Sequence, residues 1–252
     1  MPSLVVGLGE VGGPLLDLLS AVYPCAARDL EPVAVPPGID VMHVCYPYAG
    51  ADYVRTTAGY IREYAPQMTI IHSTVVPGTT RRVAEETGGP VAYSPVRGKH
   101  TKMREDLRSY TKFVAASDPE VVRRASAHLA GAGLRPAPFP SVDGLELAKL
   151  LETTYLGILI AWAQEADRFC RAVGVDYDDV MAMMREIDYL PPVIFRPGFI
   201  GGHCVMPNTD LLEQIRPSPF IDVRRASNEQ RRGELLAEGR SPDERLTPQK
   251  VR

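Results

Sequence analysis

The stretch Leu4-Val5-Val6-Gly7-Leu8-Gly9-Glu10-Val11-Gly12-Gly13-Pro14-Leu15-Leu16 decides the fold. An apolar strand runs into a turn with glycine at Gly7, Gly9 and Gly12, and a helical pattern follows at once. The first glycine permits a tight turn, the second lets the backbone approach a pyrophosphate, and the third lets helix and strand pack closely. The helix amino terminus then faces the phosphates. Seventeen residues after Gly12, at the end of a second candidate strand, stands Asp29, where a ribose 2′-hydroxyl is bound in such units. Gly7, Leu8, Gly9, Glu10, Val11, Gly12 and Asp29 are therefore expected to hold a dinucleotide. A carboxylate at position 29 repels a 2′-phosphate and favours NAD over NADP, although Arg28 beside it works the other way.

Outward from this turn, short β-rich runs alternate with helical patterns. Strands are expected at Leu4–Val6, Cys25–Arg28, Val41–Cys45, Thr69–His72, Val91–Tyr93, Thr111–Ala115 and about Leu134–Pro138. Helices are expected at Val11–Val22, Ala51–Tyr64, Thr79–Glu86 and Pro119–Ala130. This alternation predicts an α/β fold, a Rossmann-type doubly wound sheet over residues 1–140. Tyr46, Ser73 and Thr74 follow the third and fourth strands and are assigned to the same cofactor.

From Ser141 the pattern changes. Val142–Val173 reads as one long helix, with Ser141 or Asp143 as amino cap and Gly174 as carboxyl cap. Its middle is apolar all round, which demands cover on every side and predicts a homodimer. Further helices are expected at Tyr177–Ile187, Thr209–Gln214 and Ile221–Ala237, making a small all-helical domain over 141–237, with a polar, disordered tail over 238–252.

The composition narrows the function. The 252 residues carry a net charge of −3, with no basic field for nucleic acid or a membrane surface. The start of the chain lacks the pattern of a secretory signal, and Tyr155–Ala163 is about half a bilayer span. Cys25, Cys45, Cys170 and Cys204 lack metal-type spacing and read as reduced thiols of a cytoplasmic protein.

Three further segments carry a family resemblance. His72-Ser73-Thr74-Val75-Val76-Pro77-Gly78-Thr79-Thr80 resembles the S-T-V-P-x-G-T-T segment of the UDP-glucose/GDP-mannose dehydrogenase family. Glu146-Leu147-Ala148-Lys149, with Glu152-Thr153-Thr154-Tyr155, resembles its A-E-x-x-K-x-x-x-N-T segment, and Pro197–Cys204 resembles its P-G-x-G-x-G-G-x-C loop. The resemblance implies a four-electron, NAD-dependent oxidation of a nucleotide-sugar alcohol to a uronic acid. It implies Cys204 as nucleophile, Lys149 as oxyanion stabiliser and Thr74 as an orienting group. Residue chemistry agrees: a thiolate is the best side-chain nucleophile near neutral pH when a cation lies close, and Lys149 and Thr153 share a helix face. Gly201, Gly202 and His203 flank the cysteine and are assigned to the substrate.

The chain also departs from that pattern. Where the family has a catalytic glutamate after Ser-Pro, Ser94-Pro95 is followed by Val96. Thr153 replaces an asparagine. The family's aspartate after the cysteine is represented by Asn208 at the same spacing or by Asp210 two residues on. The basic segment with Arg97, Lys99 and His100 follows a strand's carboxyl end and suits a phosphate or carboxylate, or is a solvated loop. The leading expectation is a cysteine-dependent NAD dehydrogenase acting on a polar, sugar-like small molecule. The alternatives are a two-electron dehydrogenase of the 3-hydroxyacid or 6-phosphogluconate type, using Lys149 as acid and base, and a non-catalytic NAD-binding dimer.

Overall fold

The computed structural model describes residues 1–31, 35–50, 52–98, 100–186, 195–201, 205–215 and 217–242. The chain falls into two compact units, Met1–Lys149 and Leu150–Arg252.

The first unit is built on a five-stranded parallel sheet. Its strands are β1 (Ser3–Val6), β2 (Cys25–Arg28), β3 (Val41–Val44), β4 (Met68–Ile71) and β5 (Val91–Tyr93), in the order β2-β1-β3-β4-β5. Register is continuous, with Val5 opposite both Ala27 and His43. Every residue of β1, β3, β4 and β5 is buried, as a parallel sheet covered on both faces requires. Alternate side chains therefore feed two cores. Val5, Val41 and Ile70 pack with Leu15, Leu18 and Leu19 of α1 (Gly12–Ser20) and Leu129 of α5 (Pro119–Gly131). Leu4, Val6, Met42, Val44 and Ile71 pack with Tyr53 of α2 (Asp52–Tyr64) and Val83 of α3 (Thr79–Thr87). The strands β6 (Thr111–Val114) and β7 (Arg135–Pro138) form a second, parallel pair. An antiparallel bridge between Tyr93 and Ala115 joins this pair to the main sheet.

The expected strands are all present, within a residue at their ends. One helix had no counterpart in the sequence reading. Residues read as a basic loop form a 3-10 turn at His100–Lys102 and then α4 (Met103–Ser109). Only Met103 and Leu107 are buried there, so the apolar signal is a single i,i+4 pair, too short to register as a period.

The long helix α6 runs over Val142–Val173, as expected. Ser141 caps it, its Oγ accepting from the Gly144 N–H at 3.1 Å, and Gly174 closes it with φ of +77°. The second unit contains most of α6, then α7 (Tyr177–Arg185), α8 (Val205–Glu213) and α9 (Pro219–Ala237). Helix α8 starts four residues earlier than expected. Pro207 suggested a loop, yet it sits in the first turn, where its missing N–H is no loss. Gly157, otherwise unexplained in mid-helix, is a packing device: a Cβ there would lie 2.8 Å from Val205 Cγ1 and 2.9 Å from Arg224 Cδ. Ala163, Ala166 and Cys170 of α6 pack with Tyr177 and Met181 of α7. Arg168 and Arg231 join α6 and α9 through Glu234, and Arg231 also meets Asp167. No helix among the described residues is long and apolar enough to cross a membrane.

Candidate functional site

The glycine turn has the geometry its sequence implies. Gly7 adopts φ of +90°, its N–H bonds the Arg28 carbonyl at 2.8 Å, and a Cβ would press on Tyr46 N at 2.6 Å. At Gly12 a Cβ would stand 1.7 Å from the Gly7 carbonyl oxygen. At Gly9, by contrast, a Cβ would meet nothing within 4 Å. Two of the glycines are thus locked by their own fold, and the middle one leaves open space beside the start of α1. No side chain caps α1; in its first turn the Gly13 and Leu15 N–H groups bond the Gly9 and Val11 carbonyls, and Pro14 has no N–H. These features fit a dinucleotide pyrophosphate.

Asp29 is exposed just past β2, while Arg28 is buried with its guanidinium 5.4 Å from the centre of the Tyr60 ring. Leu8 and Val11 lie partly buried against the α1 core, and Glu10 is exposed. Ser73 Oγ donates to the Tyr46 carbonyl at 2.6 Å, tying the end of β4 to the end of β3. The Tyr46 hydroxyl is engaged with Thr57 Oγ1 of α2 at 2.6 Å. Thr74 follows, half-buried.

The segment after Thr74 is anchored by a residue to which the sequence reading gave no role. Glu146 of α6 is fully buried. Its Oε2 accepts from the Gly78 N–H at 2.6 Å, and its Oε1 accepts from the Thr80 N–H at 2.9 Å and the Thr80 hydroxyl at 2.6 Å. Glu146 thus satisfies donors at the start of α3, whose cap Gly78 has no side chain to do so. Burial pushes its carboxyl up, and the three donors pull against that shift. Its signal was a carboxylate three residues before Lys149 in an otherwise apolar stretch.

Val96, at the position of the family's glutamate, is buried in the core with Met103 and Leu107. Arg97 is taken up by its surroundings: it donates to the Thr111 carbonyl at 2.6 Å and lies over the Phe113 ring at 5.0 Å. His100 begins the 3-10 turn. Lys149 is half-buried on α6.

In the second unit, Thr153 is buried and receives a hydrogen bond from Asn208 Nδ2 of α8 at 3.2 Å. Asp210 is exposed and paired with Arg225 at 2.5 Å. Of the two stand-ins for the family aspartate, Asn208 is the one in contact with the stand-in for the family asparagine. Gly201 is exposed at the end of a loop fastened by two buried amides. Gln164 donates to the Gly198 carbonyl at 2.6 Å, and Asn228 accepts from the Ile200 N–H at 2.7 Å and donates to the Ile200 carbonyl at 3.1 Å. Their sequence signal was a lone amide on each of two helices. Lys99, Gly202, His203 and Cys204 lie outside the described residues.

A parallel sheet bearing this glycine turn, followed by a long helix, is the architecture of the Rossmann-type dehydrogenases. The model of the UDP-glucose/GDP-mannose dehydrogenase family, central domain, matches residues 145–229. Over those residues the chain is similar to that family's central domain. It is 29% identical over 151 residues to the UDP-N-acetyl-D-glucosamine 6-dehydrogenase of Pseudomonas aeruginosa, which covers 54% of this chain and 35% of that protein. The chain therefore spans little more than a third of the curated relatives it matches. Among solved structures it resembles a UDP-D-ManNAc dehydrogenase from Pyrococcus horikoshii, with TM-score 0.81, 20% identity, and 94% of this chain and 71% of that one covered. It also resembles the 3-hydroxyisobutyrate dehydrogenase of Mycobacterium tuberculosis, with TM-score 0.70, 16% identity, and 93% and 94% covered. Both likenesses are of fold.

Proposed function

We propose that this protein is an NAD-dependent dehydrogenase that oxidises an alcohol or aldehyde of a sugar-like substrate, with Cys204 as nucleophile. The observation that carries the cofactor part is the contrast within the glycine turn, where Gly7 and Gly12 are sterically locked and Gly9 opens onto the start of α1. NAD, when bound, accepts the hydride. Gly7 to Gly12 hold its pyrophosphate, Asp29 receives the adenosine ribose, and Tyr46, Ser73 and Thr74 line its path along the strand ends.

The relatives are dehydrogenases of UDP-linked N-acetyl sugars, which supports a nucleotide-sugar substrate here. In the first half-reaction the substrate alcohol loses a hydride and a proton to give an aldehyde. The Cys204 thiolate then adds to the aldehyde carbon, Lys149 stabilising the oxyanion. A second hydride loss leaves a thioester, which water cleaves to the acid and the free thiol. Thr153 and Asn208 position the segment that follows Cys204. With Val96 where the family has glutamate, no carboxylate at that position activates the water, so thioester cleavage is the slow step.

The partner is a second copy of this chain. Leu151, Tyr155, Trp162, Phe169 and Val173 are exposed at helical spacing along α6, a stripe that a monomer does not leave in water.

Calorimetric titration with NAD and NADP tests the cofactor assignment. Wild type is expected to prefer NAD, and Asp29→Ala to lose most of that preference. Tighter binding of NADP by wild type refutes the assignment.

A further inference from the structure

Three histidines and a lysine are buried together in the first unit, none with a role in the chemistry above. His43 on β3, His72 just after β4, His128 in the last turn of α5 and Lys112 on β6 are each at least 97% shielded from solvent. They form a single unbranched string. Lys112 Nζ lies 3.1 Å from His72 Nδ1, His72 Nε2 lies 2.9 Å from His43 Nδ1, and His43 Nε2 lies 3.0 Å from His128 Nε2. At one end Lys112 donates to the carbonyls of Ser94 and Pro95, and His72 Nδ1 is 2.8 Å from the Ser94 carbonyl. At the other end His128 Nδ1 is buried without a hydrogen-bond partner.

Counting donors and acceptors leaves two consistent arrangements. With Lys112 as an amine, its two hydrogens serve the two carbonyls. His72 then carries its hydrogen on Nδ1, His43 donates from Nδ1 to His72, and His128 donates from Nε2 to His43. With Lys112 as an ammonium, its third hydrogen goes to His72 Nδ1. His72 then donates from Nε2 to His43, His43 donates from Nε2 to His128, and His128 carries its hydrogen on Nδ1. The two arrangements differ by one proton. Each bond in the string reverses between them, so a proton entering at His128 Nδ1 emerges on Lys112, and the reverse.

We propose that Lys112, His72, His43 and His128 form a proton relay through the sheet, in which one proton gained or lost by the string switches all three imidazole tautomers together. The ends face opposite edges. Ser94 and Pro95 follow β5, at the carboxyl ends of the strands, where open parallel sheets bind ligands. His128 stacks on Tyr23, which precedes β2, at 4.6 Å, and it feels Asp40 and the chain's amino terminus.

The other groups that act on the string are Cys45, Lys149 and Arg97 on Lys112. Burial pushes the Cys45 thiol up to about 12, so it is uncharged at neutral pH. Lys149 and Arg97 are cations and favour the amine. No carboxylate partners Lys112 among the described residues, and burial lowers its affinity for a proton far below the ordinary lysine range.

Selective labelling with 15N-histidine tests the relay without substrate. Long-range proton–nitrogen spectra report which ring nitrogen carries hydrogen, and single substitutions assign the five histidines. At high pH, His72 and His43 are expected to carry hydrogen on Nδ1 and His128 on Nε2. On acidification all three are expected to exchange nitrogens together, with one midpoint. In His128→Phe, checked for folding by its melting transition, His43 and His72 are expected to stay in the high-pH form. Three independent midpoints, or fixed tautomers across the folded range, overturn the relay. Wild type alone decides between these if the variant does not fold.

Discussion

The Thr80 hydroxyl donates to the carboxylate of Glu146 across 66 residues of sequence, at 2.6 Å in a fully buried setting. With the N–H groups of Thr80 and Gly78 on the same carboxylate, this contact fixes the segment after Thr74 to the root of α6. Glu146→Ala strands three buried donors, each costing about 1–3 kcal/mol. A loss of at least about 3 kcal/mol is expected in urea unfolding. A loss under about 1 kcal/mol denies Glu146 its anchoring role.

The glycine turn separates folding from binding. Gly12→Ala forces a Cβ onto the Gly7 carbonyl and is expected to lower the melting temperature and abolish dinucleotide binding together. Gly9→Ala meets no atom of the protein, so the fold is expected to keep its melting temperature within about 2 °C, a surface-like change. Its methyl nevertheless occupies space assigned to the pyrophosphate, and affinity for NAD is expected to fall at least about tenfold. Unchanged affinity in Gly9→Ala places the dinucleotide elsewhere.

The buried histidines make stability depend on acid. Burial holds His128 down to about 4, and His43 and His72 well below the ordinary imidazole range. In each case the unfolded chain binds the proton more readily. Stability is therefore full above the unfolded value near 6.5 and is lost as pH falls through the folded values. Each histidine contributes a slope of about 1.4 kcal/mol per pH unit in that window. Lys112, also depressed, adds slope of the same sign from the ordinary lysine range downward. Urea midpoints between pH 7 and pH 5 are expected to fall steeply, and a flat profile contradicts the burial of the string.

The exposed stripe on α6 predicts association. Trp162→Glu, or Phe169→Asp, is expected to convert a dimer into a monomer in light scattering at micromolar concentration. A monomeric wild type removes the basis for a second copy.

How far the sequence carries can be judged from particular residues. The strand–turn–helix around Gly7 was legible because a nucleotide-binding turn requires glycine for steric reasons that do not depend on distant residues. Helix α6 was legible from its length and caps. Helix α4 was not, because two apolar residues establish no period. The relay was invisible for another reason: His43, His72, Lys112 and His128 stand far apart in sequence, and each alone reads as an isolated polar residue. Only the sheet register and the return of α5 bring them together. The same holds for Glu146, Gln164 and Asn228, whose partners are carbonyls and amides that no sequence pattern marks.

Coenzyme stoichiometry tests the proposed chemistry most directly. Wild type, Cys204→Ala and Lys149→Ala are incubated with NAD and a panel of UDP-N-acetylhexosamines and UDP-glucose, and NADH is counted against product and against protein mass. The account predicts two NADH per acid in wild type, with a covalent adduct on Cys204 accumulating because thioester cleavage is slow. It predicts no acid from Cys204→Ala, and a loss on the order of 10²–10³ in rate for Lys149→Ala. One NADH per product, full activity in Cys204→Ala and none in Lys149→Ala would contradict it and assign the chain two-electron chemistry on the helix lysine.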